Sequence, residues 1–408
     1  MRPRPDFSHS QPLADVSFPP RAHYLDFIRG ATVVLVVVYH VFFARNHVLG
    51  FGGLLPTNGP GFGDALTTFV YPWLMFSLFL VAGISARLSL NRRSNREFFG
   101  ERTAKLLVPS TLGVLAFHSW TLGVLTTTSA PGLADAPLPT PVFALICILG
   151  GQGPLWFAQL LFVYSALLVL FRRRPQNRAT VANPSVTTAE SSGETSLSST
   201  FAWTLFFAAA TLGVWGSAQV LNTPVITVYR FGIYGFAFFL GYLVFHRADV
   251  EAALVRTRWF WGVCALVFGV VYFRRFFGAN YADDPVLRHW LTNVYAWTAT
   301  LAILGFAKRY ADRPTRLSTF LARTSFGLYV FHMFFVYAAT LLFARLCDVP
   351  EPLEIALVAA VSFAGSYATY FAVRRVPGLR FVVLGLRRRD VERKIGETGK
   401  KSSFFGKN

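Results

Sequence analysis

Charge is scarce in this chain. Asp, Glu, Lys and Arg make up 14% of its 408 residues, where soluble proteins carry roughly a quarter. With 53% hydrophobic residues and a mean hydropathy of +0.45, the shortage excludes a disordered chain and argues against an ordinary soluble enzyme. Cysteine is scarce too: Cys147, Cys264 and Cys347 lie in or beside apolar runs with no paired spacing, so neither a disulfide framework nor a zinc site is indicated. Acidic residues number 20 against 39 Lys and Arg, a formal net charge of +19. An excess of that size suits nucleic acid, acidic lipid or an anionic ligand, and its placement decides among them. Also missing is the period-two alternation of membrane barrel strands. The first apolar run lacks a small-residue cleavage site and follows a polar stretch of about 20 residues, so it reads as a retained helix and not as a signal peptide.

What the chain does contain is a series of apolar runs long enough to cross about 30 Å of hydrocarbon. Ten are bounded by charges or Pro/Gly clusters, near 27–45, 66–86, 106–126, 154–171, 201–219, 225–245, 259–277, 289–307, 323–344 and 354–373. Backbone groups in lipid must bond within the segment, so these runs predict helices. The expected fold is an all-α polytopic membrane bundle of about ten transmembrane helices. With the N-terminus inside, 33 of the 39 basic residues fall in cytoplasmic segments, five fall outside and Arg230 lies within a span. That asymmetry predicts both termini on the cytoplasmic side and turns the charge into a topology signal and a surface for anionic lipids. The basic residues flank helices and form no aromatic-interleaved groove, which argues against nucleic acid as a partner. Three regions follow: a cytoplasmic N-terminal segment over 1–26, a transmembrane domain over 27–373, and a basic cytoplasmic tail over 374–408. Within the domain, the Ser/Thr/Pro-rich stretch 175–200 reads as a disordered cytoplasmic loop.

Ionisable groups inside the apolar runs need a reason, since each costs about 2.5 to 3.5 kcal/mol at a helix centre on insertion scales. The first run carries Asp26 and Arg29 at its cytoplasmic entrance and His40 well inside. Three residues apart, Asp26 and Arg29 share a helix face and can pair. At 1.5 Å per residue, His40 lies about 16 Å beyond Arg29, near or past the midplane. His118 and His332 reach similar depths in their own runs, so three helices can each present an imidazole to one polar region. Without an i, i+4 pair or an acidic ligand beside them, they read better as proton-handling groups than as metal ligands. A neutral His40 bonded to a neighbouring helix is the plain structural alternative. The loop from Ala86 to Ser110 holds six basic residues and ends with Arg102 and Lys105 one turn apart before Pro109. Such a cluster suits a phosphate-rich ligand, although positive-inside retention alone would also produce it. Arg230, near the outer end of its span, is a candidate contact for a polar acceptor.

These residues resemble the integral-membrane acyltransferase family 3, most nearly its branch related to glucans biosynthesis protein C. Arg21-x-x-Tyr24-Leu25-Asp26-x-Ile28-Arg29-Gly30, followed by His40, looks like the family's opening signature. The block 76–109 resembles the next one, in which an Arg-x-x-Arg pair precedes a Pro; here it reads Arg102-Thr-Ala-Lys105, with Lys in the second place. Gly153-Pro154-Leu155-Trp156-Phe157 resembles the family's Leu-Trp-Phe element, and Thr324 to His332 its late Ser/Tyr/His element.

The resemblance implies a membrane O-acyltransferase. It would move an acyl group of the acetyl or succinyl type from cytoplasmic acyl-CoA, a co-substrate and not a bound cofactor, to a hydroxyl of an extracytoplasmic or lipid-linked acceptor such as a glycan. On that reading His40 deprotonates the acceptor, Arg29 and Asp26 organise the donor path, and His332 assists proton handling. Arg102 and Lys105 hold CoA phosphates, while His118, Trp156, Arg230 and Tyr329 line the acceptor side. The setting implied is a bacterial cytoplasmic membrane. A secondary transporter is the alternative from another class, because it too places His and Arg within spans.

Overall fold

The structure, a computed structural model, describes residues 22–48, 53–55, 57, 59–121, 123–124, 137–149, 155–172, 197–222, 230–346 and 349–387. Arg21, Gly153 and Pro154, Cys347, and the expected segments 1–21, 175–196 and 388–408 lie outside them. Among the described residues every regular element is helical. Helices α1 (His23–Phe43), α2 (Phe62–Leu90) and α3 (Asn95–Arg102) lead into two π-helical segments, Thr103–Leu107 and Pro109–Gly113, and a single turn, α4 (Val114–Phe117). There follow α5 (Thr140–Leu149), α6 (Trp156–Phe171), α7 (Leu197–Ser217), α8 (Phe231–Leu243), α9 (Ala248–Phe276) and the short α10 (Asp284–Arg288). The chain continues through α11 (Trp290–Tyr310), α12 (Arg316–Leu346), α13 (Glu351–Val373) and α14 (Pro377–Leu384).

Among the described residues six helices, α1, α2, α7, α9, α12 and α13, are long and apolar enough to cross a membrane. Helices α6 and α8 are apolar but shorter. Helix α11 is 21 residues long and buries Thr292, Asn293, Thr298 and Thr300 along its length, polarity that dilutes its apolar character. The run expected as a single helix over 106–126 is instead broken. Pro109 supplies no N–H and its ring crowds the carbonyl four residues back, and the helix widens around it, with the Val108 N–H reaching the Thr103 carbonyl. The Ser110 carbonyl inside the break accepts from Gln159 Nε2 at 3.0 Å.

Close crossings at glycines bring the helices around the site together. On α1, a Cβ at Gly30 would stand 2.6 Å from Leu321 Cβ of α12, so glycine lets the two helices meet there. On α2 and α8, Gly83 and Gly241 face each other's backbones: a Cβ on Gly83 would strike the Phe238 carbonyl, and one on Gly241 the Leu80 carbonyl. Small residues at such points allow dispersion contacts along the full helix lengths, the main attraction available in lipid. Buried side chains of α1, α2, α12 and α13 form one core around Val36, Val37, Phe331 and Tyr337, and those of α2, α6, α8, α9 and α11 form another around Phe79, Phe238 and Trp297.

Two boundaries differ from those expected. Helix α7 begins at Leu197, inside the stretch assigned to the disordered loop, and α1 begins at His23, ahead of the 26/27 boundary. The start of the basic tail is also folded. Helix α14 packs on the π-helical segment, the left-handed Gly385 (φ 63°) follows it, and its backbone meets Ala104. Only glycine enters that conformation without cost.

Candidate active site

The face of α1 that turns inward carries Val33, Val36, Val37 and His40, at the i, i+3, i+4, i+7 spacing of one helical stripe. The three valines are buried. On α12 the matching stripe runs through Leu328, Tyr329, His332 and Val336, all buried. Because the two helices cross at Gly30, the stripes meet, and His332 Nε2 lies 3.2 Å from His40 Nδ1.

Backbone carbonyls assign the tautomers of both rings. His40 Nδ1 is 2.8 Å from the Val36 carbonyl and His332 Nδ1 is 2.7 Å from the Tyr329 carbonyl. A carbonyl only accepts, so each Nδ1 carries the hydrogen. In the neutral rings both Nε2 atoms are then bare. His332 Nε2 accepts a share of the His40 Nδ1–H, and His40 Nε2 keeps a lone pair with which to take a proton. His332 is fully buried and His40 only partly so, which makes His40 the more accessible of the two rings. Tyr39 stands edge-on to the His40 ring at 5.1 Å and shares a 3.0 Å hydroxyl contact with Tyr281. Tyr329 covers His332 at 5.9 Å.

His118 joins from the broken third segment, just after α4. Fully buried, it donates from Nε2 to the Val330 carbonyl at 2.6 Å, which fixes Nδ1 as a lone-pair nitrogen without a hydrogen-bond partner. It touches α12 two residues, about half a turn, before His332.

At the other end of α1, Asp26 and Arg29 pair at 3.5 Å, and Arg29 Nη2 donates to Ser85 Oγ of α2 at 3.2 Å. Glu101 is held by Arg93 and by Lys105, the latter at 2.5 Å. Arg102 is different. Its guanidinium lies over the Phe98 ring at 4.9 Å, and among the described residues no carboxylate stands within ion-pair distance. Burial, then the nearby Arg29 and Arg93 charges, pushes Arg102 down to about 10. A guanidinium crowded by like charges and lacking a counter-ion is a ready anion site. Arg387, just past α14, donates to the Gly100 carbonyl at 2.9 Å and so belongs to the same pole.

The family model described as an acyltransferase domain, that of acyltransferase family 3, matches residues 22–371. The chain belongs to this family. No curated protein and no solved structure matches it. The protein is thus an acyltransferase with several membrane-crossing helices.

Within this acyltransferase, the residues singled out from sequence divide into three groups. His40 and His332 touch, with His118 and Tyr329 packed around the second. Arg29, Asp26, Arg102 and Lys105 gather at the basic pole. Trp156 sits against Phe79 and Tyr234, and Arg230 lies by Tyr234 and the Leu287 carbonyl, joined to the histidine group through aromatic rings. Three features escaped the sequence reading: the tyrosines between Arg230 and His40, the π-helical break, and Arg387. Pro109 within an apolar run was the available signal for the break, and the recurrence of Tyr in the spans was the signal for the tyrosine cluster.

Proposed function

We propose that the acyltransferase transfers an acyl group from cytoplasmic acyl-CoA to a hydroxyl of an extracytoplasmic or lipid-linked glycan, with His40 as general base. The carrying observation is the His40–His332 contact, whose two carbonyl-locked Nδ1–H groups leave His40 Nε2 bare. The acceptor O–H gives its proton to Nε2 as its oxygen attacks the thioester carbonyl. The positive charge that forms on His40 is held by its Nδ1–H bond to His332. Collapse of the tetrahedral intermediate breaks the C–S bond, and His40 returns the proton to the departing thiolate, leaving an ester and free CoA. Arg102, with Arg29, Arg93 and Lys105 around it, receives the CoA phosphates, the ligand that the unpaired charge at that pole favours. Asp26 orients Arg29, and Trp156 and Tyr329 line the acceptor side. The acyl groups this reading favours are acetyl and succinyl, the acceptor a glucan, and the setting a bacterial cytoplasmic membrane.

The reading takes ten membrane crossings with both termini on the cytoplasmic side. It is supported by the helical state of nine of the ten expected runs, by the 33-to-five distribution of basic residues, and by the roughly 16 Å along α1 between the basic pole and His40. Thermal shift of detergent-purified protein against a panel of CoA thioesters tests it. One thioester should stabilise wild type and His40→Ala but much less Arg102→Ala. No stabilisation by any thioester in folded wild type would overturn the donor assignment.

A further inference from the structure

Arg230 stands at the start of α8 with 5% of its surface exposed. A guanidinium carries five N–H donors, yet the partners of this one are few. Nη2 donates to the Leu287 carbonyl at 2.9 Å and the group lies near Tyr234, while Nε has no acceptor among the described residues. Among the described residues no carboxylate lies within ion-pair distance of it, and the preceding residues 223–229 contain no Asp or Glu. A buried cation without a counter-ion is costly to maintain.

Its surroundings connect it to the histidines. Tyr71, Tyr234 and Tyr272 lie in its neighbourhood, Tyr234 one turn further along α8. Tyr71 packs on Tyr281 at 4.9 Å and on Tyr39 at 6.2 Å, and Tyr39 adjoins His40. By the other side, Tyr234 meets Trp156 at 5.7 Å, and Trp156 neighbours Phe157, which packs on Tyr329 beside His332. Two aromatic files thus run from the buried cation to the two faces of the histidine pair.

We propose that Arg230 is an anion subsite of the acyltransferase: it holds a carboxylate or phosphate of a substrate whose reacting group lies at His40. The assignment rests on the acyl-transfer reading for the reacting end and on the unpaired guanidinium for the anionic end. The anion belongs either to the acyl group, as the free carboxylate of a dicarboxylic acid, or to the acceptor, as a phosphate or acidic sugar. A guanidinium at this position selects for charge and not for chain length alone.

Two measurements on detergent-purified protein test the subsite. In thermal shift without thioester, succinate or inorganic phosphate should stabilise wild type and Arg230→Lys, while Arg230→Gln loses the effect and uncharged succinamide gives none. In steady-state transfer, Arg230→Gln should raise KM for the anionic substrate about 10- to 100-fold, the range a lost charge-assisted hydrogen bond gives, with kcat within about threefold and partial rescue in Arg230→Lys. Comparing acetyl with succinyl donors on a neutral acceptor, then neutral with phosphorylated acceptors on an acetyl donor, shows which substrate carries the anion. Anion protection that depends on Arg230, in protein that consumes no thioester, would retain the subsite and overturn the donor reading. Equal stabilisation by these anions in wild type and Arg230→Gln, or equal losses for neutral and anionic substrates, would overturn the subsite.

Discussion

Replacing His332 with Phe removes both ring nitrogens while keeping a buried ring of similar size, so the change isolates the contact to His40. In wild type, His332 Nε2 accepts from His40 Nδ1 at 3.2 Å. As His40 takes the acceptor proton that bond becomes one to a charged donor, worth about 1.5 to 3 kcal/mol against about 1 for a neutral pair. The part gained only in the transition state is therefore about 0.5 to 2 kcal/mol, or roughly 2- to 30-fold in rate. The Tyr329 carbonyl freed by the change sits within a helix and keeps its backbone partner, so the fold should survive. CoA release under saturating donor and acceptor should show kcat lowered by that factor with KM nearly unchanged. His332→Gln places an amide oxygen close to the lost Nε2 and should recover much of the rate. A folded His332→Phe protein with wild-type kcat, or a loss that His332→Gln leaves untouched, would refute the relay.

Other consequences concern the frame that holds the site. Gly83→Val drives side-chain carbons into the Phe238 carbonyl and the Tyr242 amide, backbone atoms that cannot rotate away; it should cost about 1–3 kcal/mol or more by overpacking, seen as a lower melting temperature in detergent, with Gly83→Ala intermediate. Beside the start of α1, Asp312 accepts from the Tyr24 amide at 3.1 Å and from Lys308 at 2.8 Å. Burial works against its ionisation, but the Lys308 ammonium and the backbone N–H outweigh it and hold the carboxyl below the usual range. A lowered carboxyl stabilises the fold above its unfolded value and loses that contribution as pH falls through the folded one. Acid melting curves below about pH 4 should therefore be shallower in Asp312→Asn than in wild type. At the far end of α1, Arg45 pairs with the buried Glu354 of α13 at 2.5 Å. Arg45→Ala strands that carboxylate and should destabilise more than Arg45→Ala with Glu354→Gln, a double-mutant comparison by thermal melting.

Much of the helical layout was legible because lipid allows so few backbone solutions. The apolar runs around Val36, Phe79 and Phe331 had to be helices, and Arg45, Arg87 and Arg345 close those runs in the sequence. The break at Pro109 was harder to read. Proline inside α2, at Pro72, leaves that helix intact, whereas the segment at Pro109 packs against Gln159 and α14, contacts that the sequence pattern does not reveal. Equal depth put His40, His118 and His332 in one layer, but depth does not fix azimuth. That His40 meets His332 and not His118 follows from the crossing at Gly30. The tautomers depend on the Val36 and Tyr329 carbonyls, which no side-chain pattern reveals. Arg102 was legible as part of a basic cluster, but its lack of a carboxylate among the described residues was not, because Glu101 beside it in sequence turns to Arg93 and Lys105.

The central claim is that His40 Nε2 removes the acceptor proton. The most direct test is single-turnover transfer of a labelled acyl group from CoA to acceptor, in wild type and His40→Ala reconstituted in liposomes and matched for folded protein and thioester binding. The account predicts that His40→Ala binds the donor normally yet transfers about 10²- to 10⁴-fold more slowly, the usual contribution of a positioned general base. Transfer at the wild-type rate in that variant would contradict it.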